Sequence, residues 1–354
     1  MKKIILTGGG TAGHVTPNLA LLPYLLKDNI EVHYIGSING IEKEIISKFP
    51  DIEYHSIRSG KFRRYFDMKN FTDPFRVAAG YFDALHLIKE ISPDVVFSKG
   101  GFVSVPVVAA AHKCKIPVIA HESDITPGLA NKISKAFATK ICLTFPDTLK
   151  EIPAPKGIYT GSPIRAELYK GDGTKARYNL KFDGKPVLLM MGGSLGAKAI
   201  NEALRAALEG ILPKMNVIHI CGKGNLSENL SKKQGYAQFE YVSDELADFF
   251  ALSDYILSRA GSNSIHEFLA LKKPMILIPL PLSASRGDQI LNAKSFENRG
   301  FCITLNQENL SKKTLLDAIE YLTLDSSKMH LKMDANVNTD GTSAIINVIK
   351  SVMK

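Results

Sequence analysis

Short runs rich in β-branched residues alternate with amphipathic stretches along the whole chain, which is the pattern of an α/β protein with parallel sheets. In the first part they predict strands at 3–7, 31–35, 94–97, 117–120 and 139–143, with helices between them, for example at 16–27 and 127–137. The segment 153–163 carries three prolines and two glycines and reads as a connection between domains. The pattern then restarts. A strand at 187–191 runs into a glycine-rich turn and a helix, as the first strand does. Strands at 216–221, 238–242, 254–258 and 274–279 follow, with helices at 262–271 and 288–298, and a last helix at 342–353 after the turn 336–341. The expected architecture is two Rossmann-like domains with parallel sheets facing across a cleft, with ligands at the carboxyl ends of both sheets.

Composition agrees with this picture. The 354 residues suit two domains, and 45% hydrophobic with 22% charged residues supply two apolar cores and exclude a disordered chain. Cys114, Cys142, Cys221 and Cys302 lie far apart, without the spacing of a structural zinc site, and point to a reducing compartment. The most apolar stretch, 102–111, falls short of the ~20 residues of a membrane-spanning helix, and no signal-peptide core follows Met1. Membrane contact is therefore expected only from the surface.

The net charge of +9 calls for an anionic partner and is unevenly placed. Between positions 58 and 76, Arg58, Lys61, Arg63, Arg64, Lys69 and Arg76 meet only Asp67 and Asp73, and are interleaved with Phe62, Tyr65, Phe66, Phe71 and Phe75. That mixture suits an interfacial membrane patch, with Arg63, Arg64 and Phe66 at its centre, better than single-stranded nucleic acid. Tyr81, Phe82, Leu85 and Ile88 continue at helical spacing and read as core.

Candidate chemistry sits in the loops after strands. Gly8, Gly10 and Gly13 formally satisfy the dinucleotide fingerprint, yet the second strand ends Tyr34-Ile35-Gly36-Ser37, without the acid that should hold a ribose. Nicotinamide binding is thereby disfavoured. The turn still lets a substrate approach a helix N-terminus, where the dipole keeps His14 neutral and available as a base, unless it only serves loop carbonyls. Gly192, Gly193, Ser194, Leu195 and Gly196 either converge N–H groups on an anion or form a plain tight turn. Ser262 or Asn263 either caps the next helix or marks a second phosphate site, with Glu267 able to accept two hydrogen bonds from a ribose diol. Two such helix heads in one domain favour a nucleoside diphosphate.

Asp288, Gln289 and Asn292 suit sugar hydroxyls, or cap a helix. In the first half, His121 and Glu122 close one strand and Lys99, Gly100 and Gly101 follow another. No Asp-x-Asp pair occurs, so the acidic pair with which many nucleotide-sugar transferases hold a divalent ion is missing. Leaving-group charge then falls to helix N-termini and a cation such as Arg165.

The stretches TGGGTAGHVTPNLAL at 7–21, SKGGFVSVP at 98–106, HESDITPGLANK at 121–132, GSPIR at 161–165, MGGSLGA at 191–197, SRAGSNSIHE at 258–267 and RGDQILNA at 286–293 together resemble the MurG family of peripheral N-acetylglucosaminyltransferases. The resemblance runs over nearly the whole length. It implies a GT-B fold, with an acceptor- and membrane-associating domain at 1–162 that the helix 342–354 rejoins, and a UDP-GlcNAc-binding domain at 163–341. It implies inverting transfer of GlcNAc, without metal or cofactor, from UDP-GlcNAc to the C4 hydroxyl of undecaprenyl-diphospho-MurNAc-pentapeptide (lipid I). The product is lipid II for peptidoglycan, made on the cytoplasmic face of the cell membrane with no nucleic acid partner.

Carried over by motif, His14 is the candidate base, with Glu122 as an alternative or a sharer of that role. Thr11, Ala12 and Gly13 would contact the donor, Arg165 and Ser194 its diphosphate, and Val242 the uracil. Glu267 would meet the ribose, with Ser262 and Asn263 also binding UDP-GlcNAc, Asp288 and Gln289 the GlcNAc hydroxyls, and Lys99, Gly100 and Gly101 the acceptor. The chain departs from the family at Ala12, where the commonest form has Gly, and at Ser123 and Asp124, where many members have Gln-Asn. Alternatives are another GT-B UDP-sugar enzyme, such as a glycolipid glycosyltransferase or a UDP-GlcNAc epimerase, and a non-catalytic nucleotide-sugar-binding protein.

Overall fold

Strand order, more than strand content, sets where ligands can bind in this protein. The computed structural model describes residues 1–60, 69–193, 196–336 and 340–353, with backbone alone for 69–75. The chain divides into two units, Met1–Arg165 with Asp340–Lys354, and Ala166–Thr339.

The first unit has seven strands: β1 (Lys3–Thr7), β2 (Glu31–Ser37), β3 (Ile52–Ile57), β4 (Val95–Ser98), β5 (Val118–Glu122), β6 (Lys140–Leu143) and β7 (Gly157–Tyr159). They lie in the order β3-β2-β1-β4-β5-β6-β7 and all their pairings are parallel. Helices α1 (Thr16–Lys27), α2 (Ile41–Ile46), α3 (Lys69–Ile91), α4 (Ser104–Lys113) and α5 (Leu129–Phe137) connect them. Covering helices bury both faces of a parallel sheet, so its inner strands read as apolar runs. Accordingly Ile4 and Leu6 of β1 join one core with Leu21 and Leu25, while Ile5 joins another with Ala84, Ile88 and Val107.

The second unit starts with α6 (Gly173–Leu180), followed by β8 (Val187–Met191), α7 (Lys198–Ile211), β9 (Asn216–Ile220), β10 (Tyr236–Phe239) and α8 (Leu246–Leu252). It continues through β11 (Tyr255–Ser258), α9 (Ser262–Ala270), β12 (Met275–Leu277), α10 (Asp288–Asn298), β13 (Cys302–Thr304) and α11 (Lys312–Asp334). Its sheet is again parallel, in the order β10-β9-β8-β11-β12-β13. The last helix, α12 (Thr342–Val352), belongs to the first unit. Its Ile345, Ile346 and Ile349 pack in the core that holds Leu21 and Leu25 of α1, and Lys350 pairs with Asp28 at 2.6 Å. Thr342 Oγ1 accepts the Ile164 N–H at 3.0 Å, fixing where that helix begins.

Two readings of the pattern change. The Pro/Gly-rich segment 153–163 is not a bare linker, because its middle forms β7 at the sheet edge, where prolines are tolerated on either side of so short a strand. On α3, Ile88 is buried and Tyr81 and Leu85 pack against the core, but Phe82 is 65% exposed, so the apolar stripe is narrower than its spacing implied.

Candidate active site

In the first unit the chain direction across the sheet reverses between β1 and β4, so the loops leaving their carboxyl ends diverge and open a crevice. Gly8–Gly10 follows β1 and Lys99–Gly101 follows β4, and the two loops touch. A Cβ on Gly101 would lie 2.3 Å from the Gly9 carbonyl oxygen, and Gly101 also has φ +85°, so glycine is required twice over. Thr11 then leads into a single turn, Ala12–His14, ahead of α1. Thr11 and Gly13 are exposed, and Ala12 and His14 half-buried.

His14 Nδ1 lies 3.1 Å from Thr11 Oγ1. Burial and the neighbouring Lys99 ammonium push its pKa down to about 4, against a hydrogen bond with the Gly9 backbone and the Glu42 carboxylate, which pull it up. The imidazole is therefore neutral at pH 7, as expected. Desolvation and the like charge of Lys99 produce this shift, and His14 lies just ahead of α1, next to its cap residue Val15.

Lys99 is 1% exposed, and its ammonium donates to Ser123 Oγ. Glu122, at the end of β5, is 4% exposed and accepts from Asn131 Nδ2 at 2.8 Å, Asp124 N–H at 3.1 Å and Gly128 N–H at 3.2 Å. Burial pulls the Lys99 ammonium down and pushes the Glu122 carboxyl up, while each charge favours the other. The three hydrogen bonds of Glu122 all go to its own loop and to α5, so the carboxylate organises residues 123–131. Ser123, one of the departures from the family pattern, is thus the acceptor for Lys99.

Glu42 is the residue that sequence reasoning missed. Its side chain is wholly buried at the start of α2. Oε2 accepts the Gly10 N–H at 3.1 Å, while Oε1 accepts the Ser37 N–H at 3.0 Å and the Ser37 hydroxyl at 2.5 Å. Burial pushes its pKa up, but these hydrogen bonds outweigh it and hold the carboxyl below its ordinary range. The end of β2 does lack the fingerprint acid; a carboxylate arrives five residues after Ser37 instead, and it ties the glycine loop rather than awaiting a ribose. The signal was the pair Gly36 and Gly40, where any Cβ would fall within 2.8 Å and 2.2 Å, respectively, of Glu42 atoms.

In the second unit the corresponding reversal lies between β8 and β11. The turn after β8 has Gly193 at φ +87° and Gly196 at φ +76°, and a Cβ on Gly196 would lie 2.1 Å from the Cys221 carbonyl oxygen. It delivers the chain to α7. Ser194, like Arg63, Arg64 and Phe66, lies outside the described residues. After β11 the helix α9 begins with Gly261 as its cap residue, so neither Ser262 nor Asn263 serves as the cap. Ser262 is buried, and Asn263 and Glu267 are half-buried.

Arg259 donates to the carbonyls of Ile278 and Pro279 at 3.1 and 3.3 Å and to Gln307 Oε1 at 2.6 Å, joining the ends of β11 and β12. Gln289 Oε1 accepts the Leu280 N–H at 3.1 Å, and Asp288 pairs with Arg286 at 2.7 Å. Ser262, Asn263 and Glu267 thus follow β11, and Asp288 and Gln289 open the helix after its neighbour β12. Val242, 8% exposed, follows the edge strand β10 and is not part of that group. Arg165 is half-buried at the end of the first unit's long segment. The arrangement offers a neutral imidazole beside a buried ammonium in one unit, and helix N-termini at a switch point in the other.

Models of the glycosyltransferase family 28 N-terminal and C-terminal domains match residues 4–143 and 187–349. A protein of Clostridium botulinum (strain Langeland), named UDP-N-acetylglucosamine–N-acetylmuramyl-(pentapeptide) pyrophosphoryl-undecaprenol N-acetylglucosamine transferase, is 56% identical over 355 residues, 100% of each chain. The protein of that name from Clostridium tetani is 55% identical over 350 residues, 99% of this chain and 98% of its own. Among solved structures, that of Acinetobacter baumannii MurG matches with a TM-score of 0.79 and 25% identity, over 99% of this chain and 100% of that one. UDP-GlcNAc 2-epimerase from Neisseria meningitidis matches at 0.68 and 14%, over 99% of each chain, a likeness of fold alone.

Proposed function

The chain belongs to glycosyltransferase family 28, and we propose that it transfers GlcNAc from UDP-GlcNAc to undecaprenyl-diphospho-MurNAc-pentapeptide, forming lipid II. The observation that carries this reading is the match, over the full length of both chains, to relatives named for that transfer. Two parallel-sheet units, each with a glycine turn at its switch point, support the GT-B architecture such a reaction uses.

In this reading the second unit holds the donor. The N-termini of α7 and α9 offer N–H groups to the diphosphate, together with Ser194, and Arg165, the last residue before this unit begins, is the proposed cation for it. Glu267 takes the ribose hydroxyls with Ser262 and Asn263 nearby, Asp288 and Gln289 take the sugar hydroxyls, and the Val242 backbone meets uracil. The first unit holds the acceptor beside Lys99, Gly100 and Gly101, with Thr11, Ala12 and Gly13 reaching the donor.

The C4 oxygen of the muramoyl sugar attacks C1 of GlcNAc as the bond from C1 to the phosphate oxygen breaks, and UDP leaves with that electron pair. The hydroxyl proton passes to His14, and C1 is inverted to the β configuration. For Nε2 to receive the proton, Nδ1–H must donate to Thr11 Oγ1, which lies 3.1 Å away. A base with a pKa of about 4 is unprotonated but weak; an incoming diphosphate offsets the Lys99 charge and raises its basicity when substrate is present.

Among the described residues no helix is long and apolar enough to cross a membrane. The basic, aromatic stretch 58–76 is the proposed contact with the cytoplasmic face of the membrane that carries the lipid acceptor. The test is transfer of labelled GlcNAc to a lipid-linked muramoyl-pentapeptide in EDTA. Product is expected at an undiminished rate; loss of activity on chelation refutes metal-free transfer, and tight NAD binding with no response to UDP refutes the whole reading.

A further inference from the structure

Glu31-Val32-His33 on β2 and Glu53-Tyr54-His55 on β3 are two copies of a Glu-x-His pattern on neighbouring parallel strands. The register pairs His33 with Glu53 and Ile35 with His55, so the two copies are offset by two residues. Alternation then puts all four polar side chains on the sheet face that carries Ile35 and Ile57. This is the outer pair of strands, away from the crevice between β1 and β4.

The ligand atoms converge. His33 Nδ1 is 3.1 Å from His55 Nε2 and 3.3 Å from Glu53 Oε2, and His55 Nε2 is 3.9 Å from the same oxygen. The point equidistant from these three atoms lies about 2.0 Å from each, which is the bond length zinc takes to imidazole nitrogen and carboxylate oxygen. The other nitrogen of His33, Nε2, sits 2.8 Å from Glu31 Oε1, and Glu31 is itself held by Lys3 at 3.4 Å. A carboxylate behind a ligating imidazole fixes the tautomer, leaving the Nδ1 lone pair pointed inward.

We propose that His33, Glu53 and His55 form a binding site for a divalent transition cation of the zinc class, with Glu31 as the orienting carboxylate. The His33 side chain is 5% exposed and that of His55 16%, whereas that of Glu53 is 68% exposed. The site is therefore walled by the imidazoles and open on the carboxylate side, where water fills the fourth position. Imidazole with carboxylate selects zinc and its neighbours over magnesium or calcium. A bound ion joins edge strand β3 to β2 by bonds that do not depend on the sheet's own hydrogen bonds. It takes no part in sugar transfer.

Without an ion, the tautomer that Glu31 favours has the His55 Nε2–H donating to His33 Nδ1; a cation takes that place as the proton shifts to His55 Nδ1. Binding thus weakens in acid, because a metal takes its imidazole and carboxylate ligands unprotonated. The test is calorimetric titration of the full chain with Zn²⁺ at pH 7.5, with Co²⁺ absorption as a report on coordination. One ion per chain is expected, with affinity reduced at least tenfold by His55→Gln and by Glu53→Gln and about tenfold by Glu31→Gln. His86→Gln, in the exposed His86–Glu90 pair, should change nothing.

Zinc should also raise the unfolding temperature of the first unit, and His55→Gln should abolish that rise while leaving the metal-free unfolding temperature and the rate of GlcNAc transfer unchanged. Absence of saturable binding overturns the proposal. So does one-to-one binding that survives His55→Gln and Glu53→Gln undiminished, which would place the ion elsewhere and leave the two imidazoles as a proton-sharing pair.

Discussion

Glutamine at position 42 separates the two jobs of the buried carboxylate. In Glu42→Gln the amide oxygen can keep the place of Oε1 and both hydrogen bonds from Ser37, but the NH₂ group then faces the Gly10 N–H, donor against donor. A hydrogen bond to a charged group contributes about 1.5–3 kcal/mol, and Gly10 is exposed, so its freed N–H can turn to water and the loss is that of the hydrogen bond itself. The first unit should therefore lose about 1.5–3 kcal/mol at pH 7. Alanine, which orphans the Ser37 N–H as well, should lose about 3–5 kcal/mol.

The pH dependence has a definite sign. Glu42 has a folded pKa below its unfolded one, so its contribution is complete above the ordinary glutamate range and disappears as pH falls through the folded value. The gap between wild type and Glu42→Gln should accordingly narrow in acid. Urea unfolding of the first unit, followed at pH 7 and in mild acid, measures both quantities. Since the released Gly10 belongs to the loop that carries His14, kcat should fall more than the affinity for UDP-GlcNAc. A Glu42→Gln variant within about 0.5 kcal/mol of wild type at pH 7, or a gap that is unchanged in acid, would refute the reasoning.

His14→Ala should lower kcat by about 10²–10⁴-fold with little change in donor affinity, and NMR titration of the His14 ring in the free enzyme should give a midpoint near 4; a midpoint near 6.5 would remove the desolvation argument. Gly101→Ala and Gly10→Ala, at φ +85° and +86°, share the backbone cost of about 1–2 kcal/mol, but only Gly101 meets an obstacle, at 2.3 Å. Denaturant midpoints should show the larger loss at Gly101, and equal losses would mean that the two loops do not touch. Replacing Arg63, Arg64 and Phe66 together should reduce sedimentation with anionic vesicles and leave UDP binding intact; unchanged sedimentation would place membrane contact elsewhere.

The buried inner strands were legible because both faces of a parallel sheet demand apolar side chains. β1 and β8 match their expected bounds, as do helices α1 and α10, whose starts are marked by Pro17 and by the Gly287-Asp288 turn. What escaped was the periphery. β3 has Glu53, His55 and Ser56 among its six residues, so its apolar signal is diluted, and β13 is only three residues long. α11 is 23 residues long with few buried positions, and its start is set by a Ser311/Thr314 capping box rather than by an apolar run. The site divides the same way. Loops at strand ends were visible in the glycines and in Lys99 and Glu122, whereas Glu42 was not, because its partner Gly10 lies 32 residues away and is brought to it only by the pairing of β1 with β2.

The position of α12 bears on the order in which the chain can acquire its structure during synthesis. The core shared by α1 and α12 lacks Ile345, Ile346 and Ile349 until residues 342–352 have been made, while everything in the Ala166–Thr339 unit is available earlier. The part of the protein translated first is therefore the part completed last. Until then the apolar side of α1 around Leu21 and Leu25 lacks its final cover, and a chain truncated before residue 342 would carry a complete second unit attached to an unfinished first one, a natural target for chaperones.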